Sequence, residues 1–186
     1  MLRAALTLLL ASVLLAGCSV ASKAPTDLLR KASSGDVEAQ WSLGWMYHHG
    51  EDVPRDHIKA VKWYRRAAER GHSLAQWQLG FMHDQETGVA RDEEEAIKWW
   101  LKAAEQGHSI AQNKLGRRYF KGKGVPKKDY VAAYAWYSVA VNDQELSSLA
   151  ELMTPQQIAE GQALSRKLHE RIEANLKKNG VDSHPS

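Results

Sequence analysis

Along the middle of the chain, apolar residues recur at every fourth position in two alternating patterns. Ala39, Leu43 and Tyr47 make the first, which returns as Ala75, Leu79 and His83 and again as Ala111, Leu115 and Tyr119. An i, i+4, i+8 spacing places each set on one side of an α-helix. The second pattern is Ala60, Trp63, Tyr64 and Ala67, then Ala96, Trp99, Trp100 and Ala103, then Ala133, Trp136, Tyr137 and Ala140. Small residues alternating with large rings suit helices that interdigitate, so these aromatics are expected in a core. The phrase Gly71-His72-Ser73-Leu74-Ala75-Gln76-Trp77-Gln78-Leu79-Gly80 comes back 36 residues later as Gly107-His108-Ser109-Ile110-Ala111-Gln112-Asn113-Lys114-Leu115-Gly116. Self-similarity at this period predicts stacked helix pairs, here three repeats at 36–71, 72–107 and 108–144.

The punctuation fits. Asp56, Asp92 and Asp129 precede the second helices and can accept backbone N–H groups as N-caps. Gly71 and Gly107 follow those helices as residues able to turn left-handed. Gly44, Gly80 and Gly116 sit inside the first helices, where glycine costs about 1 kcal/mol against alanine. Three at one repeat position predict that neighbouring backbones come too close for a Cβ. The loops carry Gly50, Gly88, Gly122 and Gly124 and a valine each, and Lys127-Lys128 inserts one residue where a loop tolerates it.

The array needs ends. Leu28, Leu29 and Ala32 before Gly35 predict an N-terminal capping helix over 26–35, covering one side of the first repeat. Capping helices are expected over 145–180, the longer one starting at Thr154-Pro155-Gln156-Gln157, a capping box with proline at N1. Its apolar face is Ile158, Leu164, Leu168, Ile172 and Leu176, and 181–186 is expected to be a loose tail.

Ala-Gln-x-x-Leu-Gly-x-x-Tyr, a Gly-rich loop ending Gly-Val-Pro-x-Asp, and Ala-x-x-Trp-Tyr-x-x-Ala-Ala-x-x-Gly-His together resemble the Sel-one-like repeat family, relatives of tetratricopeptide repeats. The resemblance runs from about Asp36 to Val141. It implies an all-α fold, a right-handed superhelical solenoid of antiparallel helix pairs, used mainly as an adaptor for other proteins. Departures are His83 for tyrosine, Val141 for the second alanine of the third repeat, and Gln144 where glycine would end that repeat. The array is therefore expected to stop there.

The first residues read as an export signal over 1–17: Arg3, then an apolar run from Ala4 to Leu15, shorter than the roughly 20 residues a membrane-spanning helix needs. Leu15-Ala16-Gly17-Cys18 resembles the lipobox of bacterial lipoproteins, which implies lipidation of Cys18, the only cysteine, with 18–25 as lipidated end and tether. Ser19 after the cysteine implies the outer membrane, with the periplasmic face as the default.

A net charge of +3, evenly spread, gives no case for nucleic acid. Trp41 and Trp45, Trp77 and Phe81, then Asn113 and Arg117 share two slots on the first helices, about 200° from the apolar stripe. Either they form a groove for a peptide with an apolar segment and an acidic end, or they are buried because the first helices are covered on two sides. Arg117, Arg118, Lys121, Lys123, Lys127 and Lys128 run without an acid until Asp129, as a surface for an acidic protein, an anionic polysaccharide or lipid headgroups, or as a solvated loop.

No catalytic residue, cofactor or metal site is expected. Gly122-Lys123-Gly124 lacks the Gly-Lys-Ser/Thr ending of a phosphate loop, and no nucleophile elbow or paired zinc motif occurs. His72 and His108 should lie a repeat apart, and the adjacent His48 and His49 should point to different faces. The expected function is a non-enzymatic, lipid-anchored envelope adaptor. A cell-wall or polysaccharide-acting enzyme and a polysaccharide-binding accessory of export are the alternatives.

Overall fold

The computed structural model describes residues 25–180; the signal peptide, Cys18, all but the last residue of its tether, and the tail 181–186 lie outside the described residues. Among the described residues there are nine helices and no strand. They are α1 (Thr26–Ser33), α2 (Val37–His49), α3 (His57–Glu69), α4 (Ser73–Gln85), α5 (Glu93–Ala104), α6 (Ser109–Lys121), α7 (Tyr130–Val139), α8 (Asp143–Ala150) and α9 (Pro155–Lys178). No described helix is long and apolar enough to cross a membrane.

Short connections fold α2 on α3, α4 on α5 and α6 on α7, and each second helix then packs on the next first helix. The second helices start where local chemistry says they should: the carboxylates of Asp56, Asp92 and Asp129 accept the backbone N–H of Lys59, Glu95 and Ala132. The first helices and α8 are capped differently, by Asp36, His72, His108 and Asn142 in turn, at one equivalent position. In His72 and His108 the ring Nδ1 is the acceptor, for the N–H of Ala75 and Ala111.

A buried glutamine locks each repeat to the one before. The side-chain amides of Gln40, Gln76 and Gln112 donate to the carbonyls of Ala32, Ala68 and Ala104 at 3.0, 3.0 and 3.1 Å. These carbonyls lie in the last turns of α1, α3 and α5, where helix geometry leaves oxygens without an intrahelical partner. Each bond is worth about 1 kcal/mol net, and the same carbonyls also accept the backbone N–H of Gly35, Gly71 and Gly107.

The close approach expected at the helix glycines is present. A Cβ on Gly80 would fall 2.5 Å from Trp100 Nε1, and one on Gly116 2.7 Å from the Tyr137 ring; Gly44 lies equally close on Tyr64. Tyr64, Trp100, Leu43, Leu79 and Leu115 are fully buried there, so the aromatics of the second helices fill the space that the glycines leave.

At the end of the third repeat the chain departs from the expected register. Gly35, Gly71 and Gly107 take left-handed backbone after α1, α3 and α5, and the equivalent residue after α7 is Val141, not Gln144. The hydrogen bonds agree: His72 N to Ala67 O and His108 N to Ala103 O correspond to Asn142 N to Tyr137 O. The helix α7 is correspondingly shorter, and α8 begins at Asp143 as a fourth first helix.

From there α9 turns back. The capping box at Thr154 and Gln157 is formed, and α9 packs chiefly along α7, with Gly161 against the Tyr134 ring. Farther along, Asn175 Nδ2 donates to Glu105 O and Leu176 lies against Gly107, so the helix ends over the second repeat.

Candidate functional site

The six slot residues lie on α2, α4 and α6 and are half-buried apart from the exposed Arg117. They divide by role. Trp41 stacks on His72 and Trp77 on His108, both at 5.5 Å between ring centroids, and in the third repeat Asn142 donates to Asn113 at 2.6 Å. The first slot therefore joins each first helix to the cap of the next. Trp77 also receives the Trp100 indole N–H on its carbonyl, which fixes it against the core of the second and third repeats. In the second slot Trp45 stacks on His49 at 3.8 Å and Phe81 meets Trp77 at 6.4 Å.

The run of six cations does not form one patch. Lys114, Arg117, Arg118, Lys121 and Lys123 line one pocket of about 230 Å³, whereas Lys127 and Lys128 line another with Asp129, Tyr130 and Gln157. The sequence reading of a run without acids also fails in space. Arg118, largely covered, forms an ion pair with the buried Asp84, and Lys114 pairs with the same carboxylate at 3.3 Å. Burial pushes the Asp84 carboxyl up, but Arg118, Gln85 and Lys114 outweigh it and hold it below its ordinary value. Arg118 is further held over the Trp100 ring and 3.8 Å from Glu93. By contrast, Arg117, Lys121 and Lys123 are exposed and have no carboxylate partner among the described residues.

Between α4, α6, α7 and α8 lies a third pocket of about 240 Å³, lined by Trp77, Ile110, Asn113, Lys114, Arg117, Tyr137, Asn142 and Glu145. It shares Lys114 and Arg117 with the basic pocket. Burial pushes the Tyr137 hydroxyl up to about 12, so that ring is neutral packing here and no base.

The histidines need one correction. The rings of His48 and His49 do not diverge but stack at 4.7 Å, and His57 meets His48 edge-on at 5.3 Å. These rings gather where α2 ends and α3 begins, and His48 meets Tyr64 edge-on at 6.0 Å. Even so, no group of three or more His, Cys, Asp or Glu among the described residues is placed to hold a metal ion.

The Sel1 repeat pattern matches residues 37–72, 73–108 and 109–142. The chain belongs to the Sel1 repeat family. It is similar to the crystal structure of a Sel1 repeat protein from Oxalobacter formigenes, with 39% identity and a TM-score of 0.60 over 66% of this chain and 96% of that one. It is also similar to a protective antigen present in uropathogenic Escherichia coli strains that displays an SLR fold, with 28% identity and a TM-score of 0.60. That match covers 86% of this chain and 44% of the antigen, so this chain spans under half the antigen's length. No functionally curated protein matches the sequence. Sel1 repeat proteins generally mediate protein–protein interaction and are typically non-enzymatic scaffolds.

Within this Sel1 repeat protein, three contributions escaped the sequence reading. The glutamine clamps carried a signal, since Gln40, Gln76 and Gln112 recur in register, but their carbonyl partners did not. The histidine caps recur too, yet imidazole is outside the usual capping set. Asp84 carried none: its repeat equivalents are His48 and Phe120, so nothing periodic marks it.

Proposed function

We propose that this chain is a lipid-anchored adaptor of the cell envelope that binds another protein or peptide through the face made by α2, α4 and α6. The supporting observation is that Trp45, Phe81 and Arg117 stay at least partly accessible on successive first helices, and a pocket opens beside Trp77 and Ile110. A continuous face of equivalent positions is the surface by which helical repeat arrays hold partners. Anchoring rests on Cys18 and its lipobox, and Ser19 after the cysteine supports the outer membrane, with the periplasmic face as the default.

Two variants test the reading. Trp45→Ala/Phe81→Ala removes rings that belong to no buried cluster; the protein should melt within a few degrees of wild type yet lose the partner captured by crosslinking in intact envelopes. Unfolding of this variant would make the rings core and remove the groove. Cys18→Ser should abolish incorporation of a palmitate analogue and release the protein from the membrane fraction; retention in that fraction would overturn the anchor.

A further inference from the structure

The two pockets that share Lys114 and Arg117 lie along one stripe of α6. Ile110, Asn113, Lys114, Arg117 and Lys121 follow one another at helical spacing, apolar at the start and cationic at the end. Ile110 is 57% exposed and, with Trp77, floors the apolar pocket. In the basic pocket every lining side chain is a cation. Asp84 neutralises part of the charge of Lys114 and Arg118 and fixes them from beneath, while Arg117, Lys121 and Lys123 are left uncompensated. Cations are favoured at a helix C-terminus, but three unpaired ones within one turn and the loop after it repel each other. They are complementary to an anionic group that comes from outside.

We infer that this stripe binds a protein segment carrying an apolar side chain and, at a fixed distance from it, one or two carboxylates. The occupant's apolar side chain sits on Trp77 and Ile110, and its carboxylates meet Arg117, Lys121 and Lys123. The rise along α6 sets the spacing. Ile110 and Arg117 are about 10 Å apart along the axis, and Ile110 and Lys121 about 16 Å. An extended peptide advances about 3.3 Å per residue, so its carboxylates lie about three to five residues from its apolar anchor. Glu145 on the rim of the apolar pocket disfavours an acid at that end, which fixes the polarity. An anionic polysaccharide would satisfy the cations but leave Ile110 and Trp77 uncovered, and a flat lipid surface does not enter a concave pocket.

This inference deepens the protein-binding reading and rests on it. The test measures fluorescence anisotropy of labelled peptides with the full chain. One peptide places a leucine about four residues from a Glu-Glu pair; a second has Gln-Gln there, and a third moves the leucine beside the acids. The first should bind, the other two at least about tenfold more weakly, and added salt should weaken the first. Arg117→Gln/Lys121→Gln, both exposed positions, should lose at least about tenfold for the first peptide with an unchanged melting curve. Equal binding of the Glu and Gln peptides, or no peptide binding, overturns the inference. If envelope crosslinking then still captures a protein on α2, α4 and α6, the adaptor reading survives. If crosslinking captures none and alginate or anionic vesicles bind instead, both fall.

Discussion

Val141 holds a left-handed turn with a β-branched side chain that is 79% exposed. Its equivalents Gly71 and Gly107 adopt the same backbone at no steric cost, whereas an L-residue there costs about 1–2 kcal/mol. Replacing Val141 by Gly is therefore expected to stabilise the protein by about 1 kcal/mol, raising Tm by roughly 2–4 °C. A thermal melt followed by circular dichroism checks it; an unchanged or lower Tm would mean that the turn is unstrained. At this scale the aspartate caps were legible because capping is local, decided within three residues. The ion pair of Asp84 with Arg118 was not, because it joins residues 34 apart that only the stacking of the third repeat on the second brings together.

Helix–helix approach is decided at the next scale. Gly80 of α4 faces Trp100 of α5 with no room for a side chain. Helix propensity alone predicts a slight gain for Gly80→Val, but overpacking predicts a loss of about 3 kcal/mol, since indole and backbone must both give way. Chemical denaturation resolves the two, and a midpoint at or above wild type would refute the packing argument. The helices themselves were legible from their period, and the glycines from their recurrence. The shortening of α7 was not: it goes with Asn142, which caps α8 and also donates to Asn113, and one sequence does not display that pairing.

Across the whole molecule, one buried and two half-buried histidines tie stability to pH. His48, His83 and His108 sit on different repeats, and all three pKa values lie below the ordinary 6.5. For each the main cause is burial; His49, His57 and Arg55 add to it at His48, and Arg65 at His83. Below pH 6.5 the unfolded chain takes up protons that the folded chain refuses, so the folded state loses stability. Above that value these groups contribute no pH dependence. Melting temperature is expected to be flat from about pH 8 to 7 and to fall as pH drops through about 6.5 towards 5. His108→Asn should make the fall shallower, because asparagine can cap α6 without titrating; an equally steep fall would remove His108 from the set.

The sequence by itself determined the helices, the aspartate caps and the capping box at Thr154, the repeat period and the family, because these follow from spacing and from contacts within a few residues. It also marked which positions vary between repeats. Only the tertiary structure decided how those variable positions are used. Trp41, Trp77 and Asn113 became joints because each meets the cap of the following helix. The run of lysines and arginines was split because α6 turns Arg118 inward onto Asp84 and the loop carries Lys127 and Lys128 to another face. Charge and ring identity are properties of residues, but whether a charge is paired or a ring covered depends on neighbours that stacking supplies from far along the chain.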